Sequence, residues 1–517
     1  MIYLIPSALL CLGLALCALR HMHFFQLNSY KLAEHKVWIG RNKGPLTLLS
    51  ILALAQLFAL LMGEIAGAIF ASALILLYAL AAKPKAKRKS KKPLVLTARV
   101  KRMLATEALV YALTAAVFFI CLPLKYFPIY AAAALILCPH VCLVANLINA
   151  PIEKAIRDHY TKEAVSMLRA HPNLKVVGIT GSYGKTGTKY YLSTILSEKF
   201  DVLMTPGSYN TPMGVVKTVR ESLRPTHEIF VCEMGAKYVG DIKELCEIAD
   251  PDIGIITSIG AQHLETFGSL DAIVGTKLEL ADYLSAKAKP IVLNGDCGLI
   301  RENAHFEKQI LCGSERGFDV GVSDVSADEN GTSFTVTVKG GESFPITSSL
   351  LGAHNVSNLA TAVAVAYELG MSREEIKRGA KKIRSAPHRL EIKPIGKDII
   401  IDDAFNANPA GTKAALAALA LFNGCRIIVT PGMVELGDES DAFNRAFGAD
   451  AAKVCDYIFL VGRRQTEVIR EGAISGGFPE SRIRVFEKVE DAINAARSAE
   501  TDDRRIILLE NDLPDNY

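Results

Sequence analysis

The stretch "GITGSYGKTGT", residues 178–188, carries glycine, lysine and threonine at a spacing that suits phosphate chemistry. A β-branched run, "LKVVGIT", leads into it, and "TGTKYYLSTILSEKF" follows with the apolar spacing of a helix. A strand that enters a Gly-rich turn and leaves as a helix directs backbone N–H groups at an anion. Lys185 would reach the outer phosphates of a nucleotide, and the Thr186 hydroxyl would bind Mg²⁺.

The motif departs from the general phosphate-binding pattern, which has glycine six residues before the lysine. Ile179 occupies that position, and Gly178 precedes it, so the motif is the variant T-G-x-x-G-K-T. A purely structural turn is the alternative, and the setting between a strand and a helix favours phosphate binding. The residues of the predicted nucleotide turn are Thr180, Gly181, Ser182, Tyr183, Gly184, Lys185, Thr186 and Gly187.

Two more residues that suit metal chemistry follow predicted strands. Glu233 ends the strand in "VCEMG", where a carboxylate can bind the second side of Mg²⁺; a solvated glutamate at a strand end is the alternative. His263 follows a strand and a glycine, on a loop at the same edge as the phosphate turn. A lone histidine is more often structural, so the residue type alone favours a structural role for His263.

The elements that position these residues alternate between strand and helix from about residue 170. Such alternation predicts an α/β fold with parallel, doubly wound sheets. A break is expected near 385–392, where "RSAPHRLE" ends one helical run and a new β/α series begins. The predicted domains are a membrane anchor over 1–150, an α/β domain that carries the phosphate turn over 151–388 and a second α/β domain over 389–517. The predicted strands are "LKVVGIT", "HEIFVCEMG", "PDIGIITSI", "KPIVLNGD", "DIIIDDAF", "CRIIVTPG", "YIFLVG" and "RRIILLEN".

The N-terminal part has the composition of a membrane protein. Of the 517 residues 50% are hydrophobic, and the mean hydropathy is +0.24. Each apolar run has roughly the 17–25 residues that cross a bilayer, and one long buried hairpin over 46–82 is disfavoured because buried soluble helices are rarely apolar all round. Up to five spans are therefore predicted, at 3–19, 46–62, 65–82, 105–124 and 128–149.

The loops between these runs predict the topology. The loop "KPKAKRKSKKPLVLTARVKR" carries ten basic residues in twenty, and basic loops remain in the cytoplasm. Five spans then place everything after Pro151 in the cytoplasm. The opening "MIYLIPSALL" lacks a basic side chain and a small-residue cleavage site, which favours a retained anchor over a removed signal peptide. Beside two spans, the basic loop is expected to bind anionic membrane lipids and not nucleic acid.

Ordered motifs along residues 165–465 resemble the Mur ligases, the ATP-dependent amide ligases of peptidoglycan precursor synthesis. The "NANP" signature and "GMVELGDES" are most similar to the MurF type, which adds D-alanyl-D-alanine to a UDP-MurNAc-tripeptide. The resemblance implies ATP and Mg²⁺ as cofactors, with a central ATP-binding domain over 151–388 and a Rossmann-like C-terminal domain over 389–517. Together with the apolar runs and the basic loops, it implies a multi-pass protein of the bacterial inner membrane with cytoplasmic catalytic domains. It is carried by "GITGSYGKTGTKYYL", "TPGSYNTPMGV", "CEMGAKYVGDI", "DIGIITSIGAQHLETFGS", "GTKLEL", "GAHNVSNLATAVAVAYELGM", "HRLEI" and "IDDAFNANPAG".

The resemblance assigns catalytic or metal-binding roles to five positions. Lys185 and Thr186 would hold the β- and γ-phosphates and the first Mg²⁺, while Glu233 and His263 would serve the metals. Lys277 matches the lysine that CO₂ carbamylates in several members of the family. A carbamate is an anion that can bind Mg²⁺ or its water, whereas an ammonium would be repelled by the metal. An unmodified surface lysine is the alternative for Lys277.

The same resemblance assigns the remaining nucleotide contacts. Asn355 and Asn358 in "HNVSN" would offer amide edges to adenine, and helix capping is the alternative role for both. Arg389, at the predicted interdomain link, and Asp403, at the end of the next strand, match the pair that meets ATP when the C-terminal domain closes.

Substrate contacts are implied at four positions. Asn210 and Thr211 match the loop that contacts the acceptor, where most MurF-type proteins carry a second asparagine in place of this threonine. Asn406 and Asn408 in "FNANP" would border the site of the amine. The substrates implied are a peptidoglycan precursor and an amino acid or dipeptide.

Two departures from the MurF pattern concern substrate choice. Membrane spans replace the soluble N-terminal domain that binds the UDP-sugar, and "LLENDLPDNY" replaces the usual "KGS" motif after the last strand. The acceptor is therefore hypothesised to be UDP-linked or lipid-linked. A ligase for another acceptor and a non-catalytic membrane scaffold are the alternatives. The joint presence of the catalytic residues disfavours the scaffold. The eleven cysteines form no CxxC pair, which disfavours the amidotransferase-associated relatives that carry a zinc ribbon.

Overall fold

The computed structural model describes residues 2–28, 30–41, 63–82, 93–260, 262, 264–315, 317–340, 342–405, 407–434, 436, 439–462 and 466–511. The predicted span 46–62, residues 83–92 of the basic loop, His263 and Asn406 lie outside these ranges. The described residues divide after His159 into two compact units. All eleven cysteines are described, and each is a free thiol.

The first unit is helical and apolar. Three of its segments are long and apolar enough to cross a membrane, namely Leu4–Leu27, Ala98–Cys121 and Leu124–Arg169. A shorter apolar helix covers Glu64–Leu77 and overlaps the predicted span 65–82. The helices are α1 (Leu4–Leu27), α2 (Leu32–Arg41), α3 (Glu64–Ala82), α4 (Ala98–Cys121) and, after a 3₁₀ turn at Leu124–Tyr126, α5 (Phe127–Arg169).

Helix α4 presents an apolar face that no other described element covers. Leu109, Leu113, Val117 and Ile120 recur at helical spacing, and each side chain is between 57% and 83% exposed. A row of large aliphatic side chains in water would cost roughly 1.5–3 kcal/mol for each residue relative to an apolar environment. This face has the composition expected of a surface in contact with lipid tails.

Sheet one, in the second unit, is mixed. Strands β1–β7 run parallel where they pair, as the alternation of strands and helices predicted, whereas β7, β8 and β9 form antiparallel hairpins that make the sheet mixed. Tight turns join these three strands, and a tight turn can connect only antiparallel neighbours. The order is β2-β3-β1-β4-β5-β6-β7-β8-β9. The strands are β1 (Lys175–Thr180), β2 (Val202–Met204), β3 (Ile229–Glu233), β4 (Ile253–Ile256), β5 (Ile291–Asn294), β6 (Gln309–Gly313), β7 (Val320–Asp328), β8 (Gly331–Val338) and β9 (Glu342–Ser348).

Helices cover both faces of sheet one. One face packs Leu192, Leu359 and Ile376 in one buried cluster, and the other packs Val215, Ile242 and further residues in a second cluster. A sheet buried on both faces explains the near-continuous apolar strands of this part of the sequence. The helices are α6 (Lys185–Leu196), α7 (Pro212–Ser222), α8 (Asp241–Ala249), α9 (Leu264–Phe267), α10 (Leu270–Ser285), α11 (Gly298–Asn303), α12 (His354–Glu368) and α13 (Arg373–Lys382).

Sheet two begins at Glu391, inside the predicted break at 385–392. Its order is β10-β11-β15-β12-β13-β14, and only β10 runs antiparallel, so this sheet is mixed as well. The strands are β10 (Glu391–Ile395), β11 (Asp398–Asp403), β12 (Cys425–Thr430), β13 (Tyr457–Val461), β14 (Ile483–Phe486) and β15 (Arg505–Glu510). The helices are α14 (Pro409–Leu419), α15 (Ser440–Val454), α16 (Thr466–Ser475) and α17 (Val489–Arg497), with a 3₁₀ turn at Glu480–Arg482.

Candidate functional site

The predicted phosphate turn lies between β1 and α6, at the carboxyl edge of sheet one. Gly181 has φ +147° and Gly184 has φ +84°, conformations that favour glycine. A Cβ on Gly181 would lie 2.1 Å from Oγ1 of Thr257, so no larger residue fits. The backbone N–H groups of Ser182 and Tyr183 donate to Ser258, at 2.7 Å to its carbonyl oxygen and 2.9 Å to its hydroxyl. The end of β4 therefore holds the turn in shape.

The Lys185 ammonium closes over this turn. Its Nζ donates to the carbonyl oxygens of Gly181 at 2.6 Å and Ser182 at 3.1 Å. Burial lowers the pKa of Lys185 to about 8, the nearby Glu233 carboxylate opposes that shift, and Arg389 adds to it. The side chain is thus cationic at neutral pH, and it lies beside the first N–H groups of α6, which have no partner within the helix. The arrangement suits a phosphate group.

Glu233 is the central acceptor of the site. Its side chain is 1% exposed, so the alternative role of Glu233 as a solvated glutamate at a strand end is wrong. Its Oε1 accepts from the Thr186 hydroxyl and from Nδ2 of Asn210, both at 3.1 Å. Its Oε2 accepts from Nζ of Lys189 at 2.9 Å, and its backbone N–H donates to Oγ1 of Thr205 at 3.1 Å.

Lys189 also belongs to the candidate site, through its ion pair with Glu233, although no motif in the sequence indicated it. Its side chain is fully buried, and its ammonium also donates to the carbonyl oxygen of Gly207. The available signal was its position four residues after Lys185, which places both lysines on one face of α6. A lysine on the buried face of a helix needs a buried anion, and Glu233 is that anion.

The donor set around Glu233 fits Mg²⁺. Thr186 and Glu233 bring a hydroxyl and a carboxylate oxygen together, and Mg²⁺ prefers oxygen ligands. Lys189 neutralises the other carboxylate oxygen, which leaves Oε1 on the side of the phosphate turn. His263 lies outside the described residues, so its predicted metal role stays a prediction.

Lys277 is buried on α10, with 3% of its surface exposed, so the surface-lysine alternative is wrong. Burial lowers the pKa of Lys277 to about 7, and the Lys185 ammonium lowers it further, while Asp241 and Glu279 oppose the shift. Only a neutral amine reacts with CO₂, so this environment supports the predicted carbamylation. The modification itself stays a prediction.

The depressed pKa of Lys277 predicts a pH-dependent stability. Between pH 7 and its ordinary value of 10.5 the unfolded chain holds a proton that the folded chain lacks, so stability rises with pH in that window. Lys185, with a pKa of about 8, contributes in the same direction. Between pH 7 and 9 the free energy of unfolding of the wild type should rise, and we expect Lys277→Met to make that rise smaller by roughly 2 kcal/mol. The measurement is urea unfolding in CO₂-depleted buffer without Mg²⁺. An equal rise in both proteins would contradict a depressed pKa of Lys277.

The two predicted adenine residues pack against the phosphate turn and α6. Asn355 accepts from the Tyr191 hydroxyl at 2.9 Å and donates to the carbonyl oxygen of Leu351 at 2.8 Å. The Asn358 amide lies beside Gly184, where an added Cβ would come within 2.8 Å of it. Helix α12 begins after Ala353 without a side-chain cap, so the capping alternative is wrong for both asparagines. Their contact with adenine stays a prediction.

Arg389 and Asp403 lie together at the start of the C-terminal sheet. The Arg389 guanidinium lies 4.2 Å from the ring centroid of Phe405, and the backbone N–H of Leu390 donates to Oδ1 of Asp403 at 3.2 Å. Burial lowers the pKa of Arg389, and the carboxylates of Asp403 and Glu233 oppose that shift. Burial raises the pKa of Asp403 to about 6, against the opposing effect of Arg389. The charge of Arg389 therefore acts on one carboxylate of each sheet in the second unit, Glu233 of sheet one and Asp403 of sheet two.

The predicted substrate residues have structural partners as well. Asn210 reaches Glu233 through its amide, as described above. Thr211 caps α7 by accepting from the N–H of Gly214 at 3.3 Å, and Asn408 caps α14 by accepting from the N–H of Gly411 at 2.9 Å. Asn406 lies outside the described residues. Substrate contacts at these four positions stay predictions.

Together, the glycine turn, the half-buried Lys185 and the Thr186–Glu233 pair define a nucleotide-binding α/β protein with a second sheet beside the site. The sequence matches the Mur ligase middle domain over residues 179–366 and the Mur ligase, glutamate ligase domain over residues 388–509. The chain belongs to the Mur ligase family.

Individual relatives and structures agree with this assignment. The UDP-N-acetylmuramoyl-tripeptide–D-alanyl-D-alanine ligase of Bacillus subtilis is 33% identical over 330 residues, which are 62% of this chain and 70% of that protein. The Escherichia coli protein of the same name is 29% identical and covers 62% and 71%. MurF from Acinetobacter baumannii superposes with a TM-score of 0.61 at 29% identity, covering 69% of this chain and 77% of that one. MurF ligase from Thermotoga maritima in complex with ADP has a TM-score of 0.61 at 26% identity, covering 68% and 80%.

Proposed function

We propose that this protein is a membrane-anchored, MurF-like ligase that uses ATP to join D-alanyl-D-alanine to the peptide of a UDP-MurNAc-tripeptide. One observation carries the proposal above all: the Glu233 carboxylate binds Thr186, Asn210 and Lys189 at once, directly beside the lysine of the phosphate turn. The relatives in Bacillus subtilis and Escherichia coli bear the name of this activity.

The chemistry requires an activated acceptor, because a carboxylate is not electrophilic enough to react with an amine. ATP converts the carboxylate into an acyl phosphate, and the amine then displaces phosphate. Lys185 and the first N–H groups of α6 stabilise the negative charge on the transferred phosphoryl group. Thr186 and Glu233 would hold Mg²⁺, which supplies neutralising charge between the phosphates when it is bound. Arg389 adds a second cation from the side of the C-terminal sheet.

The first unit supports a location in the bacterial inner membrane, with the catalytic domains in the cytoplasm. Three of its segments have the length and composition of membrane spans, and α4 exposes large aliphatic side chains. Anionic lipids would be partners of the basic residues that precede α4. If the protein is embedded in this way, alkaline carbonate washing of isolated membranes should leave it in the pellet; complete release would argue against the anchor.

A second acceptor class follows from the same membrane helices. They occupy the place of the soluble domain that binds the UDP-sugar in MurF-type proteins, so a lipid-linked counterpart of the tripeptide precursor is the alternative acceptor. An enzyme held at the membrane surface would meet such an acceptor without releasing it into water.

The deciding experiment offers both acceptors to the purified full chain. In detergent with Mg²⁺, ATP and D-alanyl-D-alanine, either UDP-MurNAc-tripeptide or the lipid-linked tripeptide should give phosphate release and a product heavier by one dipeptide. Omitting the dipeptide is the control for uncoupled ATP hydrolysis. Binding of ATP without product from either acceptor would overturn the MurF-like activity.

A further inference from the structure

Two carboxyl groups meet at the carboxyl edge of sheet two. Asp403 ends β11, Glu510 ends β15, and the two residues are direct partners in the register of these parallel strands. Glu510 is 1% exposed, and neither of its oxygens has a hydrogen-bond partner among the residues that the structure describes. Asp403 is partly exposed and accepts from the N–H of Leu390.

The charges around this pair do not suffice for two ionised carboxylates. Arg389 is the cation whose charge acts on both Asp403 and Glu510. The neighbouring Asp402 already has its own cation, because the Lys393 ammonium lies 2.5 Å from it, and it also contacts the ring of His388 at 2.8 Å. Glu233 and Tyr191 also act on Arg389, and neither supplies positive charge to the pair. A buried and a half-buried carboxylate that lie side by side and face one cation favour the retention of one proton.

We propose that Glu510 is a positioning residue that holds one proton, donates it in a hydrogen bond to the Asp403 carboxylate, and thereby fixes Asp403 for its contact with the linker. The proton satisfies an oxygen of Glu510 that is otherwise buried without a partner. It also reduces the charge of the carboxyl pair from two to one, which Arg389 balances. In agreement with this, burial and the neighbouring Asp403 raise the pKa of Glu510 well above its ordinary value.

The fixed carboxylate acts on Arg389 through the backbone. Leu390 and His388 flank Arg389, and they have φ angles of +49° and +58°, in the region that side chains other than glycine rarely adopt. The hydrogen bond from Leu390 to Asp403 holds the linker in this conformation. Glu510 therefore acts through Asp403 on the placement of the Arg389 cation. The further step, that this position of Arg389 helps to bind ATP, rests on the proposed function.

The test compares three forms of the full chain in detergent. Glu510→Gln keeps a donor for Asp403, whereas Glu510→Leu keeps most of the volume and removes the donor. We expect the affinity for ATP, measured by direct binding, to fall roughly tenfold in Glu510→Leu and to stay within about twofold of the wild type in Glu510→Gln. Where turnover is measured, the KM for ATP should rise and kcat should change less. Glu490→Leu, at an exposed position of α17, is the matched control.

Infrared spectroscopy tests the proton directly. The difference spectrum between wild type and Glu510→Gln at pH 7.5 should contain the carbonyl stretch of a protonated carboxylic acid, and the Glu490→Gln difference should not. Absence of that band would overturn the shared proton, and unchanged ATP affinity in a folded Glu510→Leu protein would overturn the positioning role. Both readouts are independent of product formation, so a failure of the proposed ligase activity remains distinguishable from a failure of this inference.

Discussion

Lys185→Ala should lower the rate of ATP-dependent product formation by roughly 10³-fold, the scale of losing one group that stabilises a developing oxyanion. The reason is geometric as well as electrostatic. The Lys185 ammonium lies within 3.1 Å of two carbonyl oxygens of the phosphate turn, next to the first N–H groups of α6. In Lys185→Ala the turn lacks the cation that would stabilise the phosphoryl group during its transfer. The measurement is phosphate release with both substrates present, at saturating ATP.

A matched control separates this effect from a general loss of positive charge. Lys199→Ala removes an exposed lysine just after α6, whose ammonium donates to the carbonyl oxygen of Gly370. That variant should retain the wild-type rate within about twofold, since exposed surface changes away from a site usually have small effects. Wild-type turnover in Lys185→Ala would show that the phosphate turn is assigned incorrectly.

Lys189→Met should destabilise the protein by about 3–5 kcal/mol, because it leaves the buried Glu233 carboxylate without its cation. Both side chains of the pair are at most 1% exposed, and their charged atoms are 2.9 Å apart. The free energy of unfolding can be followed by circular dichroism in urea. The exposed pair Lys287–Asp250, at 2.6 Å, provides the control: Lys287→Met should cost less than about 1 kcal/mol.

A double variant separates the structural role of the Lys189–Glu233 pair from its functional role. Adding Glu233→Leu to Lys189→Met removes the unpaired charge, so stability should return to within about 1–2 kcal/mol of the wild type. The double variant should be inactive, because the carboxylate that would bind Mg²⁺ is gone. Turnover by the double variant would contradict the role of Glu233 in binding Mg²⁺. A Lys189→Met protein as stable as the wild type would contradict the predicted cost of an unpaired buried carboxylate.

Several features of this protein could be predicted from the sequence because they depend on neighbouring residues. The phosphate turn needs only a strand, glycines at two strained positions and a helix start, and all of these occur between Lys175 and Leu196. The apolar segments α1, α4 and α5 follow from local composition in the same way. The α/β class and the family were predicted correctly, since both depend on ordered local motifs.

Other features depended on which distant residues the folded chain brings together. The hairpins β7–β9 made sheet one mixed, although the preceding strands had predicted a parallel arrangement. Lysine is typical of exposed helix surfaces, but Lys277 is buried because α10 packs the face that carries it toward the interior. The sequence alone could not decide these points, because burial is set by the elements that cover a helix or strand.

By itself, then, the sequence determined the nucleotide turn, the apolar helices and the family, since hydrophobic period and turn chemistry act over a few residues. Only the tertiary structure decided that Lys189 neutralises Glu233 and that Glu510 lies beside Asp403. Those pairs join strands and helices far apart in the chain. Their contact depends on strand order and register, which no local pattern specifies, because pairing between strands is settled by the packing of the whole sheet.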